Sequence, residues 1–500
     1  WAQAILARVV DFDPFSIPFV MVSGSRGKIL ASSVHIGAPT FSVSGRNCRL
    51  AGVSSLPTAW PAATSARGAE WVDAVHFKPA AARVVHLGAQ VRTNAHGAHS
   101  ADENGARSSA AVPKMFDVAV VGGGFAGLAA ISRLARRGLR LLFVEQGRGL
   151  GGRVCTRRAE CPVSGDPLAF DHGCQYFSAK SASQPHFAEE VENWKETGAV
   201  QSWGGRVGTI TYAKGSLKLS SFVPYSAEKL SSVLVGVPSM SALGKHILAR
   251  AGLDGDSSDA ATKSIPGGIA VRKGTRAEEV RWLDEEQKWQ LRLKSKSRES
   301  RTNDSLIAEA RVLVIATSAN SVNRLLGDGA PGSVRGIESP ISWALMVAVS
   351  GPLLHIPFDG ALVTNFAEEG GALAWVARDS SKPGRPGGVT SVPECWVLHA
   401  SPEWSRAQAA LSKDEVRDAL LAEFARDFLA VAPGTPSVVY SEAFRWNNAY
   451  PLNPLRLTAR CITDAERNLL IGGDWAAGDR VGDAFESGVS LAKAALELLE

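Results

Sequence analysis

The apolar positions of this chain change period several times from Met115 onward. Residues 117–121, Asp-Val-Ala-Val-Val, are a run of β-formers, followed by helical spacing and then a second apolar strand closing on Phe143-Val-Glu145. Strand, helix and strand in that order predict one βαβ unit. Residues 268–275 and the alternating run 289–294 return to strands. Residues 311–316, Arg-Val-Leu-Val-Ile-Ala, have the unbroken apolar character of a parallel strand buried on both faces. Four more strand-like runs, 342–349, 372–377, 395–400 and 438–446, predict a separate sheet. Between the last two, Ser412-Lys-Asp-Glu415 is a capping box, with Leu411 and Val416 placed as a hydrophobic staple. Val416, Leu420, Leu421, Phe424 and Phe428 form the apolar stripe of that helix. Polar breaks at 254–264 and 295–305 predict surface loops. No internal repeat interrupts this order.

These runs predict an α/β fold with two intertwined domains. A Rossmann-like nucleotide-binding domain is expected from three separated segments, 114–178, 254–330 and 459–500. An α+β substrate domain with an antiparallel sheet takes 179–253 and 331–458, and covers the nucleotide domain from above.

Composition changes the picture only at the N-terminal end. The chain is 45% hydrophobic and 21% charged, which suits a globular protein. Residues 1–115 carry 11 Lys and Arg against 6 Asp and Glu, which leaves 43 against 43 over 116–500. The larger part is neutral, so charge gives no case for a nucleic-acid or membrane partner, and no apolar run is long enough to span a bilayer. Residues 1–113 are rich in Ser, Ala, Gly and Arg, with no acid from Pro14 to Ala69. Two readings stay open for them: an organellar transit peptide, most naturally for a plastid, with a polar linker at 94–109, or an untranslated or disordered extension of an otherwise cytoplasmic protein. Five of the ten histidines are scattered there, and no metal site is expected. Six cysteines without a C-x-x-C pair read as reduced or buried thiols.

The glycines bring in the chemistry. Gly122-Gly-Gly124-Phe-Ala-Gly127 follows the first strand and opens the first helix. In such a loop Gly122 makes the tight turn, Gly124 lets the backbone approach a pyrophosphate, and Gly127 lets helix pack on sheet. The amides at the helix N-terminus then face the phosphates. Glu145, roughly twenty residues on, is placed to accept from a ribose hydroxyl. Arg148-Gly-Leu-Gly151-Gly152-Arg153-Val-Cys-Thr156 follows directly, and near the far end stand Gly473-Asp474 and Gly482-Asp483-Ala484-Phe.

The second element resembles the R-x-x-G-G-R-x-x-[ST] signature of flavoproteins in the amine oxidase, phytoene desaturase and renalase superfamily. Four further stretches, Phe170–Phe177, Leu373–Arg385, Trp396–Ser405 and Arg445–Pro451, are similar to its renalase-type branch. This resemblance spans residues 116–500. It implies a p-hydroxybenzoate-hydroxylase-like fold and non-covalent FAD held by Gly122, Gly124, Phe125, Ala126, Gly127, Glu145, Gln146, Gly152, Arg153, Ala277, Gly473, Asp474, Asp483 and Ala484. It further implies oxidation of a small hydride donor, an isomeric dihydronicotinamide, with O2 as acceptor and H2O2 as product. Gln175, Tyr176, His399 and Trp446 are the candidates for the substrate face, because amide, phenol, imidazole and indole suit a planar ring bearing a carboxamide. No acid–base pair is required for hydride transfer to a flavin.

Some positions depart from the branch. Relatives usually read Glu-Gly-Ala-Phe where this chain reads Gly482-Asp483-Ala484-Phe, and the acid at Asp483 is expected to sit beside charge developing on the flavin. Cys174 stands where Ala is common, Ala277 where Val packs near adenine, and Asn447 where a basic residue is frequent. Three alternatives stay open: a flavin amine oxidase, a carotenoid or porphyrinogen desaturase, and a flavin-bearing scaffold without turnover. Cys461, just before the Gly-Asp element, is poorly placed for a covalent flavin link.

Overall fold

A computed structural model describes residues 115–253, 263–265, 268–295, 305–386, 393–430, 434 and 436–500. The expected leader, and most of the two expected loops at 254–264 and 295–305, lie outside the described residues. At the loop edges, Lys263–Ile265 is a strand, and Ser295 and Ser305 are strand ends.

The chain enters through β1 (Met115–Val121), α1 (Phe125–Leu134) and β2 (Leu141–Val144). A hairpin, β3 (Arg157–Glu160) with β4 (Pro167–Phe170), comes next, then α2 (Pro185–Glu196). Strands β5 (Val200–Ser202), β6 (Val207–Ala213), β7 (Ser216–Pro224) and β8 (Leu234–Gly236) lead to α3 (Ala242–Arg250). The chain then returns through β9 (Lys263–Ile265), β10 (Ile269–Arg272), β11 (Thr275–Leu283), β12 (Lys288–Ser295), β13 (Ser305–Ala316) and α4 (Ala319–Leu326). After β14 (Ser342–Val349), β15 (Gly360–Thr364), β16 (Leu373–Arg378) and β17 (Glu394–Ala400) come α5 (Lys413–Phe424) and β18 (Val438–Trp446). Finally β19 (Ile462–Asp464), β20 (Leu469–Gly472) and α6 (Val481–Glu497) close the chain.

Five strands run parallel in the order β10-β2-β1-β13-β20. Their continuous apolar sequences follow from burial on both faces: α1 and α6 lie on one side, and α4 with the β11–β12 meander packs with the other. Strand β13 is long enough to serve two partners. Its first half pairs antiparallel with β12, its second half parallel with β1 and β20. Helix α6 lies against α1 at Gly488, where a Cβ would overlap the Ala126 carbonyl. That close approach brings the last element of the chain beside the first.

The second sheet has the order β18-β14-β17-β16-β15-β6-β7. It is antiparallel except for the parallel β15–β6 pair, which corrects the expectation of a wholly antiparallel sheet. Neither β15 nor the β6–β7 hairpin is among the expected strands, although Ile210, Tyr212, Leu217 and Leu219 alternate about the Lys214-Gly215 turn. Helix α5 covers one face through Val416, Leu420 and Phe424, with Phe428 from the wider turn that follows it, and its N-terminus carries the Ser412–Glu415 box; Leu421 is only half-buried.

Two pieces cross the expected domain boundaries. The β3–β4 hairpin lies within 114–178 but packs Leu168 and Phe170 on Met346, Ala348 and Val397 of the second sheet. Helix α3 lies within 179–253 but packs Gly244 on Leu150, where a Cβ would lie 2.9 Å from the leucine side chain. Both pieces bury an apolar face on the other layer, and burial decides their allegiance rather than chain order.

Candidate flavin site

A cavity of about 990 Å³ runs along the C-terminal ends of the parallel strands. Its floor is built from backbone. Gly122 takes a positive φ of 112°, and a Cβ on Gly127 would overlap the Gly122 carbonyl, so only glycine lets α1 start this close to β1. Above Gly124, by contrast, nothing lies within 4 Å of where a Cβ would stand. Gly151 N–H donates to the Gly123 carbonyl at 2.8 Å, which seats the second glycine element on the first.

Side chains lock these loops together. Glu145 accepts from Gly123 N–H at 2.6 Å and from Gly147 N–H, so its carboxylate ties both glycine turns while lining the cavity. A carboxylate has about four acceptor positions, so one group can serve a ribose hydroxyl as well as backbone amides. Arg153 pairs with the buried Asp474 at 2.8 Å and donates to the Ala449 carbonyl at 3.2 Å. Gly473 N–H donates to Ser487 Oγ at 3.0 Å, which fixes the loop on α6. At the opposite end Arg324 donates to the Ala277 carbonyl at 3.4 Å, beside a bulge that turns Ala277 inward.

The expected cofactor residues divide. Gly122, Gly124, Phe125, Ala126, Glu145, Gln146, Gly152, Arg153, Ala277, Gly473, Asp474 and Ala484 line the cavity. Gly127 lies beneath the floor as a packing residue. Asp483 does not face the cavity, which corrects its expected place beside the flavin: its carboxylate accepts from the N–H groups of Asp479 and Arg480, both at 3.1 Å, and from Gln184 Nε2 at 2.7 Å. It caps α6, where an acid is favoured by the helix dipole.

The substrate candidates divide as well. Trp446 forms the cavity wall with Phe444 and His172. Its indole stacks on His172 at 5.2 Å with 23° between planes, and Phe444 meets the imidazole edge-on at 4.7 Å. The His172 carbonyl accepts from Trp446 Nε1 at 3.0 Å and from His399 Nε2 at 3.1 Å. His399 therefore braces the wall from behind instead of facing a ligand. Burial pushes the His172 imidazole down to about 4 and that of His399 down to about 3, so both are neutral at neutral pH. Gln175 is also turned away: its amide donates to the Asp171 carbonyl, and its Oε1 accepts from Trp375 Nε1 at 3.2 Å and Lys382 Nζ at 3.3 Å. Tyr176 tilts against Trp375 at 5.6 Å and is not in the wall. Cys174 donates to the Tyr176 carbonyl, and burial pushes its thiol up to about 12, as a packing residue requires.

Behind this wall lies a buried charge cluster. Lys382 Nζ sits 2.6 Å from Asp379 and 3.3 Å from Asp171, and Arg385 pairs with the same Asp171. Thr156 of the second glycine element donates to Asp171 at 2.6 Å. Burial works to raise the Asp171 carboxyl, but the charges of Arg385 and Lys382 hold it at about 2. Burial, and next the neighbouring Asp171, raise that of Asp379. The cluster clamps the loop that carries His172 between the glycine element and the second sheet.

Residues 237–496 match the family model described as flavin containing amine oxidoreductase, and residues 120–191 match an NAD(P)-binding Rossmann-like domain. The chain belongs to the flavin containing amine oxidoreductase family. It is a flavin-dependent oxidoreductase, and its cofactor is FAD. Among solved structures, a candidate protoporphyrinogen oxidase from Exiguobacterium sp. 255-15 matches with a TM-score of 0.52 at 12% identity, covering 77% of this chain and 99% of that one. Cyclohexylamine oxidase from Brevibacterium oxydans IH-35A matches with a TM-score of 0.50 at 12% identity, covering 77% and 98%. At that identity the likeness is one of fold.

The cavity fits the family's cofactor. The open space over Gly124, the α1 N-terminus, the Arg153 guanidinium and the Glu145 carboxylate match pyrophosphate and ribose in charge and order. Cys461, buried beside β19, is not in the cavity wall. Several wall residues escape sequence reasoning: His172, Phe444, Arg276, Arg324, Arg158 and Lys245. The aromatic pair had a signal, since Phe444 and Trp446 alternate on one strand with Trp446 already singled out. The cations had none, because they come from a hairpin, two helices and a strand far apart in sequence.

Proposed function

We propose that this family member is an FAD-dependent oxidase of renalase type, oxidising an isomeric dihydronicotinamide with O2 and releasing H2O2. Bound FAD would supply the hydride acceptor and the two-electron route to oxygen. The balance is donor plus O2 plus one proton to nicotinamide cation plus H2O2. The observation that carries the reading is the flat wall of Trp446 stacked on a neutral His172, with Phe444 beside it. A planar ring lying on that wall is held by area and orientation. The donor's hydrogen leaves as hydride, so the wall needs no base, and the neutral imidazole does not repel a ring that becomes cationic.

Amine oxidation is the second reading, favoured by the family match. Both are tested by mixing the FAD-loaded protein anaerobically with isomeric dihydronicotinamides, ordinary NADH and primary amines while following flavin absorbance. Fastest reduction by an isomeric dihydronicotinamide, slowed by Trp446→Ala with FAD retained, supports the first. Fastest reduction by an amine supports the second.

We also propose that residues 1–113 direct import into a plastid, on the acid-free stretch between Pro14 and Ala69. A reporter fused behind that segment and left diffuse in the cytosol refutes this.

A further inference from the structure

The cavity carries more positive charge than a flavin dinucleotide needs. Among the described residues that line it, nine are Lys or Arg and only Glu145, Asp474 and Asp479 are acids. The acids stand at the cofactor end, where Arg153 pairs with Asp474 and Arg480 lies 3.8 Å from Asp479. Beside the second glycine element the cavity is lined by Arg148, Arg158 and Lys245, and none of the three has an ion pair among the described residues. Arg158 is instead held by two hydroxyls, Ser239 Oγ at 3.1 Å and Ser241 Oγ at 3.4 Å. Lys245 follows Ser241 by one turn of α3, so both lie on the same face. That helix is seated on the glycine element itself, where a Cβ on Gly244 would lie 3.1 Å from Gly151 N.

Three cations of different chain origin thus line one cavity, and none is offset by an acid among the described residues. A guanidinium steadied by neutral hydroxyls keeps its remaining N–H donors for an incoming acceptor, and guanidinium with ammonium is a usual pairing for phosphate. The pyrophosphate of the cofactor already has Arg153 and the α1 N-terminus. The same surplus works against a protonated amine, which must approach through a field of its own sign.

We propose that the part of the cavity lined by Arg148, Arg158 and Lys245 is a second anion subsite that binds the phosphate of an incoming reductant and disfavours cationic amines. This rests on the dihydronicotinamide reading for the identity of the reductant, but not for the existence of the subsite. The phosphate has two sources, the cofactor or the donor, and the test separates them.

Calorimetric titration of inorganic pyrophosphate into the FAD-loaded protein is expected to show binding that weakens steeply between 50 and 200 mM salt, over which the Debye length falls from about 14 to about 7 Å. In Arg158→Gln/Lys245→Gln that affinity should fall at least tenfold while flavin content and thermal stability hold. Unchanged affinity in the variant overturns the subsite. Loss of FAD in parallel assigns the cations to the cofactor and overturns it equally. In the second arm, flavin reduction by an isomeric dihydronicotinamide mononucleotide is compared with the matching riboside. The mononucleotide should be preferred at least tenfold, and the preference should collapse in the variant; no preference in the unmodified protein refutes recognition of a donor phosphate. If neither compound reduces the flavin, the dihydronicotinamide reading fails while the pyrophosphate titration still decides the subsite.

Discussion

Removing the Lys382 ammonium is the sharpest test of how this site is held in shape. Its Nζ is fully buried, with Asp379 at 2.6 Å, Asp171 and Gln175 Oε1 both at 3.3 Å, and the Trp203 ring at 5.2 Å. With Arg385 on the same Asp171, the cluster holds two acids and two cations and is neutral as a whole. Lys382→Met keeps most of the stem volume and leaves one buried negative charge without compensation. Breaking a buried pair in this way costs about 3–5 kcal/mol, a large share of the roughly 5–15 kcal/mol that holds a domain folded. The sign with pH follows from Asp379. Its carboxyl is already raised, and losing Lys382 raises it further, so the folded variant takes up a proton more readily than the unfolded chain. The loss is therefore full at pH 8 and shrinks as pH falls towards the ordinary carboxyl range, with pH 5 as the second point of measurement. Adding Asp379→Asn returns the cluster to one acid and one cation and should recover at least half the loss at pH 8. Urea unfolding of the FAD-loaded protein at both pH values measures each case. A loss under about 1 kcal/mol at pH 8, or a double variant no better than the single one, would refute the reasoning.

Further outcomes follow from other parts of the site. Glu145→Ala removes a ribose acceptor and the tie between the two glycine turns; a charged hydrogen bond of about 1.5–3 kcal/mol predicts a ten- to hundredfold rise in the FAD dissociation constant, read by flavin fluorescence on dilution, and unchanged retention would count against the ribose role. Gly127→Ala drives a methyl into the Gly122 carbonyl and should yield protein with native circular dichroism but little flavin, whereas a normal holoprotein would contradict the close approach. Acidification should destabilise the protein between pH 6.5 and 4, because His172 at about 4 and His399 at about 3 take protons later than unfolded imidazoles. At pH 5 each contributes a loss of about 2 kcal/mol. Thermal unfolding of His172→Leu should lose correspondingly less between pH 7 and 5, and an equal loss would rule the imidazole out as the cause.

Local chemistry in the sequence was enough for the nucleotide end of this protein. A tight turn, a pyrophosphate approach and a helix start each demand glycine at a set spacing, so Gly122, Gly124 and Gly127 are legible without knowing where anything else lies. The parallel strands are legible for a similar reason: 311–316 is apolar without alternation because both its faces are covered. The capping box at Ser412 is likewise a matter of four consecutive residues. Strand β15 lacks such a mark, because five residues opening on Gly360 are too few to establish a period, whereas the β6–β7 hairpin carries an alternation about Lys214-Gly215 that the expected strands omit. The substrate end depended on tertiary structure. Gln175 and His399 carry the side chains a ligand would use, and only packing shows that Trp375, Lys382 and the His172 carbonyl already occupy them. Asp483 reads as a flavin neighbour until the folded chain turns its carboxylate onto two backbone amides. The three cations beside the second glycine element come from a loop, a hairpin and a helix. Charge acts through space and not along the chain, so no spacing in the sequence records their meeting.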